Sequence, residues 1–537
     1  MRSHARTAGT ITATLILGAI AIPALPAAAL DPPPPGKAEG SGEYGLIGDS
    51  GLTVPGIYGV ALNTDGSIWH TVTEGPERGI VEYRPRPYSP EDGDYLGGGA
   101  YADGTGYLGA GWESPVRYTH RDSTAADPAG GTEIWAEPRG IEALPGGGIA
   151  VSDTNGTTST PPGTILFYDS AHEQVLGNAG VGGDEGCTQL AAGELAWGPY
   201  FAVLNDVLYA PYQGCNVVSV FSAPDGEPLF RLTGTGQTAG LQPNPPTTDG
   251  PGGLAAVYGV STDGAAIYTS DLGLDRTTQV GLVQRWFPDP ETESWRMDTE
   301  FGQDGAIAFP GELIYETIPA GDELFVIPQS GPIHRVDRSG AALGDVQVRD
   351  VPYTSARDLQ VTPEGWLVMT AKGEHSLRIL ALSPEPLEHL SAEPAAEGGS
   401  VELAWDPIPT EYGHAPVLDY VIEIAEAGSD DWRVIDRDPS TATTATLSDL
   451  TPGSHQFRVT PYSEAGAGDP QIVEAEVGEP TTPEPPTPPG PSTPPPTDPP
   501  TTTTPGPTPP EPAEPRAPIT SGTTEPGADG APGAPLA

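Results

Sequence analysis

The sequence predicts an all-β chain in which a repeated four-stranded unit precedes a two-sheet sandwich and an extended tail. Three observations carry this. Turn pairs such as Asp263-Gly264 recur between short runs of alternating apolar and polar residues, which is a strong hairpin signal. No window shows a sustained 3.6-residue apolar period. Proline concentrates after Glu479, whereas glycine falls mostly in turns upstream.

The first thirty of the 537 residues have the pattern of a secretory signal. Arg2, His4 and Arg6 form a basic start, Ile11 to Ile22 an apolar core, and Ala27-Ala28-Ala29 a small-residue cleavage site. The expected division is therefore a signal peptide over 1–29 and a Pro-rich leader over 30–42. The apolar core is too short for a membrane span, and no later stretch is long and apolar enough for one. A secreted, soluble and monomeric protein is the expectation.

From residue 43 to 383 hairpins recur. They run from Gly56 to Thr71, Arg139 to Asp153, Tyr200 to Tyr212, Tyr258 to Asp271, Leu313 to Gln329 and Asp358 to Lys372. A third apolar strand follows most of them, and often a fourth. Four strands roughly every 45 to 60 residues is the period of a β-propeller, here six-bladed. The sixth repeat stops after three strands at Pro384-Glu385-Pro386, so residues 43–47 or 52–54 are expected to supply its outer strand and leave no open edge. The spacing from the first to the second hairpin is too long for one blade. Its excess, 85–131, is either a Gly/Tyr-rich insertion, which is favoured, or a seventh blade.

The stretch Gly259-Val-Ser-Thr-Asp-Gly-Ala-Ala-Ile-Tyr-Thr-Ser-Asp271 resembles the blade signature of NHL-type and gluconolactonase-like propellers. Residues 387–478 resemble a fibronectin type III domain. Ser400 to Pro407 with Trp405, Leu418 to Ile424 with Tyr420, and Leu450 to Val459 with Phe457 match its strands B, C and F. They alternate apolar and polar as a sandwich requires. His455 stands where that family carries a corner tyrosine, so a weaker cap or a shifted loop is expected. Residues 479–537 are rich in Pro and Thr and cannot bury a core; they read as an extended, disordered spacer, possible reach across a cell wall included. The chain stops at Pro535-Leu536-Ala537 without an apolar sorting tail.

The formal charge of −50 argues against nucleic acid and anionic membranes as partners. Cys187 and Cys215 are the two cysteines, and in an exported chain they are expected to form a disulfide. Aligning the ends of the second hairpin strands places Glu74, Asp153, Tyr212, Asp271, Gln329 and Lys372 on a candidate channel rim. Asp153 and Asp271 have the alternative role of turn caps. The gluconolactonase-like resemblance implies Glu, Asn and Asp on a metal, for which Glu74, Asn155 (or Asn205) and Asp271 are the weak candidates; calcium or another divalent ion would suit them, though no cofactor is required. Tyr95, Tyr101, Tyr107 and Trp112 are candidates for stacking on sugar rings or for capping the propeller. No nucleophile elbow or phosphate-cradling loop is present.

The leading expectation is a non-catalytic binding protein that recognises an extracellular polysaccharide or surface protein, with sandwich and tail as spacer. The alternatives are a secreted hydrolase, either carbohydrate-active in polysaccharide degradation or a metal-dependent lactonase, and a structural stalk of the cell wall.

Overall fold

The computed structural model describes residues 44–50, 55–84, 115–153, 164–172, 175–179, 200–212, 217–234, 252–254, 256–272, 280–289, 294–348, 353–396, 398–409 and 411–479. These residues are all-β, and every strand pairing in a named sheet is antiparallel. Strand β1 is Tyr44–Asp49. The first sheet holds β2 (Ile57–Leu62), β3 (Ile68–Val72), β4 (Gly79–Tyr83) and β5 (Val116–Tyr118). The second holds β6 (Pro138–Ala143), β7 (Ile149–Asp153), β8 (Thr164–Tyr168) and β9 (Val175–Ala179). The third holds β10 (Ala202–Leu204), β11 (Val207–Tyr212), β12 (Val217–Ser222) and β13 (Pro228–Thr233).

The fourth sheet comprises β14 (Val257–Thr262), β15 (Ile267–Asp271), β16 (Val280–Asp289) and β17 (Ser294–Met297). A fifth strand, β18 (Ala306–Pro310), pairs with the other end of the long β16, an addition the sequence did not predict. The fifth sheet contains β19 (Ile314–Ala320), β20 (Glu323–Pro328), β21 (His334–Asp337) and β22 (Ala342–Asp345). The sixth contains β23 (Ala356–Val361), β24 (Leu367–Ala371) and β25 (Ser376–Leu382), with β1 pairing β25 at the outer edge. Each sheet is open, and none closes on itself.

The turns follow from local chemistry. Asp263 accepts the amides of Ala265 and Ala266 at 3.0 and 2.8 Å, and Gly264 supplies the positive φ. Asn205 and Asp206 take φ of 52° and 60°, as a two-residue hairpin of the primed type requires. The expected insertion over 85–131 needs a new boundary: β5 lies inside it and is the fourth strand of the first sheet, held by β4. Residues 85–114, with Tyr95, Tyr101, Tyr107 and Trp112, lie outside the described residues, as do Asn155, Cys187 and Cys215.

Apolar cores lie between successive sheets. Trp69, Tyr118, Ile141 and Val151 join the first to the second, and Phe167, Phe201, Leu208 and Val217 the second to the third. Val218, Leu232, Val260 and Trp286 join the third to the fourth; Tyr268, Val283, Leu324 and Val326 the fourth to the fifth. Ile327 packs with Leu359 and Leu367 of the sixth, and there Trp366 and Val368 pack with Ile57 and Ile68 of the first. A sheet with two apolar faces must find a neighbour on each side, and six shared cores satisfy all six sheets.

Hydroxyls stitch the same interfaces. Thr71 donates to the Arg139 carbonyl, Ser261 to that of Thr317, and Thr370 to that of Tyr58. The Val60 amide donates to Asp358 Oδ2 at 2.7 Å, tying the first sheet to the sixth. The sheets approach so closely that a Cβ on Gly59 would lie 2.3 Å from the Arg139 carbonyl oxygen, and one on Gly259 2.3 Å from that of Tyr315.

Strands β26 (Ser391–Pro394), β27 (Val401–Ala404) and β30 (Thr444–Leu447) form one sheet of a fibronectin type III-like sandwich. Strands β28 (Asp419–Glu426), β29 (Arg433–Val434), β31 (Gly453–Ser463), β32 (Gly466–Ala467) and β33 (Gln471–Val477) form the other. Trp405 meets Tyr420 edge-on in its core, with Phe457 and Val459 beside them. His455 replaces the corner tyrosine without loss of the cap: its Nε2 bonds the Thr451 carbonyl at 2.8 Å while the ring is buried. The sandwich docks on the sixth sheet. Trp366 Nε1 donates to the His414 carbonyl at 3.1 Å, and the Leu382 backbone exchanges hydrogen bonds with Gly413 and Ala415.

Candidate functional site

The first strands of five sheets share one irregularity. Register shifts fall between Ile57 and Val60, Pro138 and Ile141, Val257 and Gly259, Ile314 and Glu316, and Ala356 and Asp358. A bulge inserts an unpaired residue and re-aims its side chain. The residues re-aimed include Tyr58, Arg139, Tyr258, Tyr315 and Arg357; the third sheet contributes Tyr200, just before β10. These six converge, one from each sheet.

Tyr58 and Tyr200 stack at 5.8 Å, Tyr258 and Tyr315 at 4.6 Å, and the hydroxyls of Tyr58 and Tyr258 lie 3.0 Å apart. Tyr200 donates its hydroxyl proton to the Arg357 carbonyl. The Arg139 guanidinium lies 5.2 Å from the Tyr58 ring centre. Arg357 stands 5.0 Å from the ring of Tyr58 and 5.8 Å from that of Tyr315. Such contacts favour the cation as water is excluded. Burial of the four tyrosines follows from this packing, whereas both arginines stay partly exposed.

The two arginines differ in their partners. Arg139 is paired with Glu137, with Nε 2.9 Å from Oε1. Arg357 has no acidic partner among the described residues, and the Lys372 ammonium lies beside it. Lys372 is held below the usual lysine range, first by burial and then by the Arg357 charge. In a chain of net charge −50, this patch concentrates positive charge.

One or more residues further along the same strands the character reverses. Glu142 on β6, Glu316 on β19 and Asp358 on β23 are carboxyls from three different sheets. Glu142 and Glu316 line a cavity of about 220 Å3 together with Phe201, Ser261, Thr262 and Gln360. Desolvation, then the Asp358 charge, pushes Glu142 up to about 8. Burial likewise raises Asp358 to about 7, against the pull of Glu316 and of the Val60 and Leu359 amides. Glu316 is raised well above the usual carboxylate range, through burial and then Asp358; two carboxyls this close cannot both ionise, so Glu316 keeps the proton.

The six predicted rim residues do not form an open acidic rim. Glu74 and Gln329 are exposed and Lys372 is half-buried. Tyr212 packs among Phe201, Leu208, Val217 and Phe221, because its strand is apolar on that face, so it is a core residue. Asp153 is buried and accepts the amides of Ala136 and Glu137 at 3.0 and 2.5 Å. Asp271 is fully buried, with Gln284 Nε2 3.4 Å from its Oδ2. Of the metal candidates, Glu74 is exposed and Asp271 enclosed, and Asn155 lies outside the described residues. Among the described residues no three His, Cys, Asp or Glu side chains are grouped to hold a metal ion.

Sequence alignment of the hairpins at the ends of their second strands missed the tyrosine–arginine ring. The signal lay at the other end, in Tyr58-Gly59, Arg139-Gly140, Tyr258-Gly259, Tyr315-Glu316 and Arg357-Asp358.

No protein-family model matches the chain. Its sandwich is similar to the fourth fibronectin type III domain of a human protein, at 23% identity over 19% of this chain and 83% of that one, with a TM-score of 0.16. It is also similar to domains d3–d4 of the rat CD45 extracellular region, at 20% identity and a TM-score of 0.16; 19% of this chain is matched, and 53% of that chain is covered. A longer match, over 82% of this chain and 59% of the other, is to the extracellular domain of a hybrid two-component system from B. thetaiotaomicron, at 12% identity and a TM-score of 0.34. The chain thus spans little more than half the length of these last two. No helix among the described residues is long and apolar enough to cross a membrane.

Proposed function

We propose that the chain is a secreted, non-catalytic recognition protein that binds an acidic extracellular polysaccharide through the tyrosine–arginine ring. In this reading the six sheets are the blades of a six-bladed propeller, and the ring lies on its axis. The six apolar cores shared by successive sheets, the sixth with the first, support that arrangement. The fibronectin type III-like sandwich and the Pro/Thr-rich tail serve as a spacer.

The observation that carries the reading is Arg357, set between Tyr58 and Tyr315 without an acidic partner among the described residues. A planar guanidinium held by aromatic faces is pre-organised for a bidentate pair with a carboxylate. Lys372 adds a second positive charge beside it. A polymer of uronic acids supplies carboxylates at every residue, and multivalency compensates for a small contact.

The hydrolase alternative draws on the Glu316–Asp358 pair, whose raised affinity for a proton suits acid–base work. Their mutual hydrogen bond sets them closer than the roughly 5 to 9.5 Å that separates the carboxyls of glycosidases. The binding reading is therefore preferred.

Calorimetric titration of the full chain with oligogalacturonate and with a neutral glucan tests it. The acidic oligomer is expected to bind, more weakly as salt rises, and the glucan not. Arg357→Ala is expected to weaken binding by at least tenfold. Equal binding of both glycans, or unchanged binding by the variant, would refute the proposal.

A further inference from the structure

We propose that the cavity beyond the tyrosine–arginine ring is a second, separate binding site, for a small organic ammonium ion of monosaccharide size or less. Three observations lead there. The cavity of about 220 Å3 is lined by residues from five of the six sheets, so its shape is set by the whole assembly and not by one loop. Its volume falls below the roughly 300–1,000 Å3 usual for drug-sized ligands, which restricts the occupant to a small molecule. Its lining has carboxyls but no basic residue: Glu142 and Glu316 face it, with Gln360, Ser261 and Thr262.

The orphaned atom is Glu316 Oε2. Glu316 is only 4% exposed, lines the cavity, and this oxygen has no hydrogen-bond partner. A buried acceptor without a donor costs about 1–3 kcal/mol, so a ligand that donates to it recovers that loss. Asp358 is not in the same position, since its two oxygens accept the amides of Val60 and Leu359, both at 2.7 Å. The hydroxyls of Ser261 and Thr262 are likewise engaged, donating to the carbonyls of Thr317 and Ala266. The acceptors left for a ligand are Glu142, Glu316, the Gln360 amide oxygen and the lone pairs of the Ser261 hydroxyl, whereas Thr262 also accepts the Gly264 amide.

This donor set selects an ammonium over a metal. A divalent ion such as calcium takes six to eight oxygens at about 2.3–2.6 Å. The described residues contain no such grouping. An ammonium needs only three acceptors: its charge is met by Glu142 as that carboxyl gives up its proton, while Glu316, still protonated, accepts through Oε2. A neutral sugar of the same size would bring no charge for Glu142 to pair with. The site is independent of the polysaccharide reading, because it uses none of Tyr58, Tyr258, Tyr315, Arg139 or Arg357.

The test is calorimetric titration of the full chain with glucosamine, glucose and calcium chloride at pH 7, where glucosamine carries its charge and its binding releases the proton that Glu142 holds. Glucosamine is expected to bind at least tenfold more tightly than glucose. Glu142→Gln, which removes the charge, and Glu316→Leu, which removes the acceptor, should each weaken glucosamine at least tenfold. Glu402→Gln, which removes an exposed charge from the sandwich, should leave its affinity unchanged. Thermal shifts of the unmodified chain provide a second readout if either cavity variant fails to fold: glucosamine should raise the melting temperature and glucose should not. Equal effects of the two sugars, no effect of either, undiminished binding by both cavity variants, or displacement of glucosamine by micromolar calcium would each overturn the proposal.

Discussion

Replacing Glu142 by glutamine should make the protein more resistant to alkaline pH. In the folded chain burial, then the Asp358 charge, lifts this carboxyl from 4.5 to about 8. The folded state therefore holds a proton that the unfolded chain releases. The stability contributed is fully present below about 4.5 and is lost as pH rises towards 8. At about 1.4 kcal/mol per pH unit, the full span corresponds to a loss of at most about 5 kcal/mol. Glu142 lines the cavity rather than sitting in packed apolar core, so water reaches it and screening reduces the effect. A difference on the order of 2 kcal/mol is expected. The assay is urea unfolding of both proteins at pH 5 and pH 9, followed by tryptophan fluorescence. The unmodified chain should lose clearly more stability between the two pH values than Glu142→Gln. Parallel losses would refute the reasoning, because the carboxyl would then titrate alike in the folded and unfolded chains.

Asp358→Ala removes the acceptor for the Val60 amide and opens the seam between the first and sixth sheets, so chemical denaturation should show a loss of about 2–4 kcal/mol. Gly259→Ala would push a methyl to 2.3 Å from the Tyr315 carbonyl oxygen; a lowered melting temperature, absent for Gly478→Ala where φ is ordinary and the nearest atom lies 3.8 Å away, is the expected result. In the sandwich, His455→Ala should cost about 1 kcal/mol through loss of the bond to the Thr451 carbonyl, while His455→Tyr should restore most of it in the same unfolding assay. His334, bonded at 2.7 Å to both Glu312 and Asp345, has its affinity for a proton raised. Although burial opposes it, the two carboxylates prevail, so its contribution is fully present below about 6.5 and lost as pH rises; NMR titration of the ring should place its midpoint above that of a free histidine.

Much of the fold was legible because it is encoded locally. Asp263-Gly264 and Asn205-Asp206 specify their turns through residues that tolerate positive φ and cap the backbone. Short apolar runs bounded by turn residues, such as Ile57–Leu62 and Leu367–Ala371, mark strands whatever lies beside them. The three-stranded sixth repeat, ending at Pro384, correctly implied an outer strand from the N-terminal side, which β1 supplies. Trp405, Tyr420 and Phe457 announced the sandwich core, since each is a large apolar residue at a strand position with a fixed inward face. His455 left its own outcome open, and only the fold shows that an imidazole nitrogen reaches the same carbonyl.

The sites belong to the other category. Asp153 and Asp271 stand out in sequence because they end conspicuous motifs, yet both are buried, and Asp153 spends its oxygens on backbone amides. Tyr58, Arg139, Tyr200, Tyr258, Tyr315 and Arg357 are scattered over three hundred residues. Their convergence depends on bulges and on the packing of each sheet against the next. Glu142, Glu316 and Asp358 look like ordinary surface acids in an acidic chain. Their protonation is decided by desolvation and mutual repulsion, which exist only once three different sheets enclose them. Turns and strands are short-range properties of the chain and can be read from neighbours in sequence. A site made of one residue per sheet is a long-range property, fixed by inter-sheet packing that no stretch of the sequence records by itself.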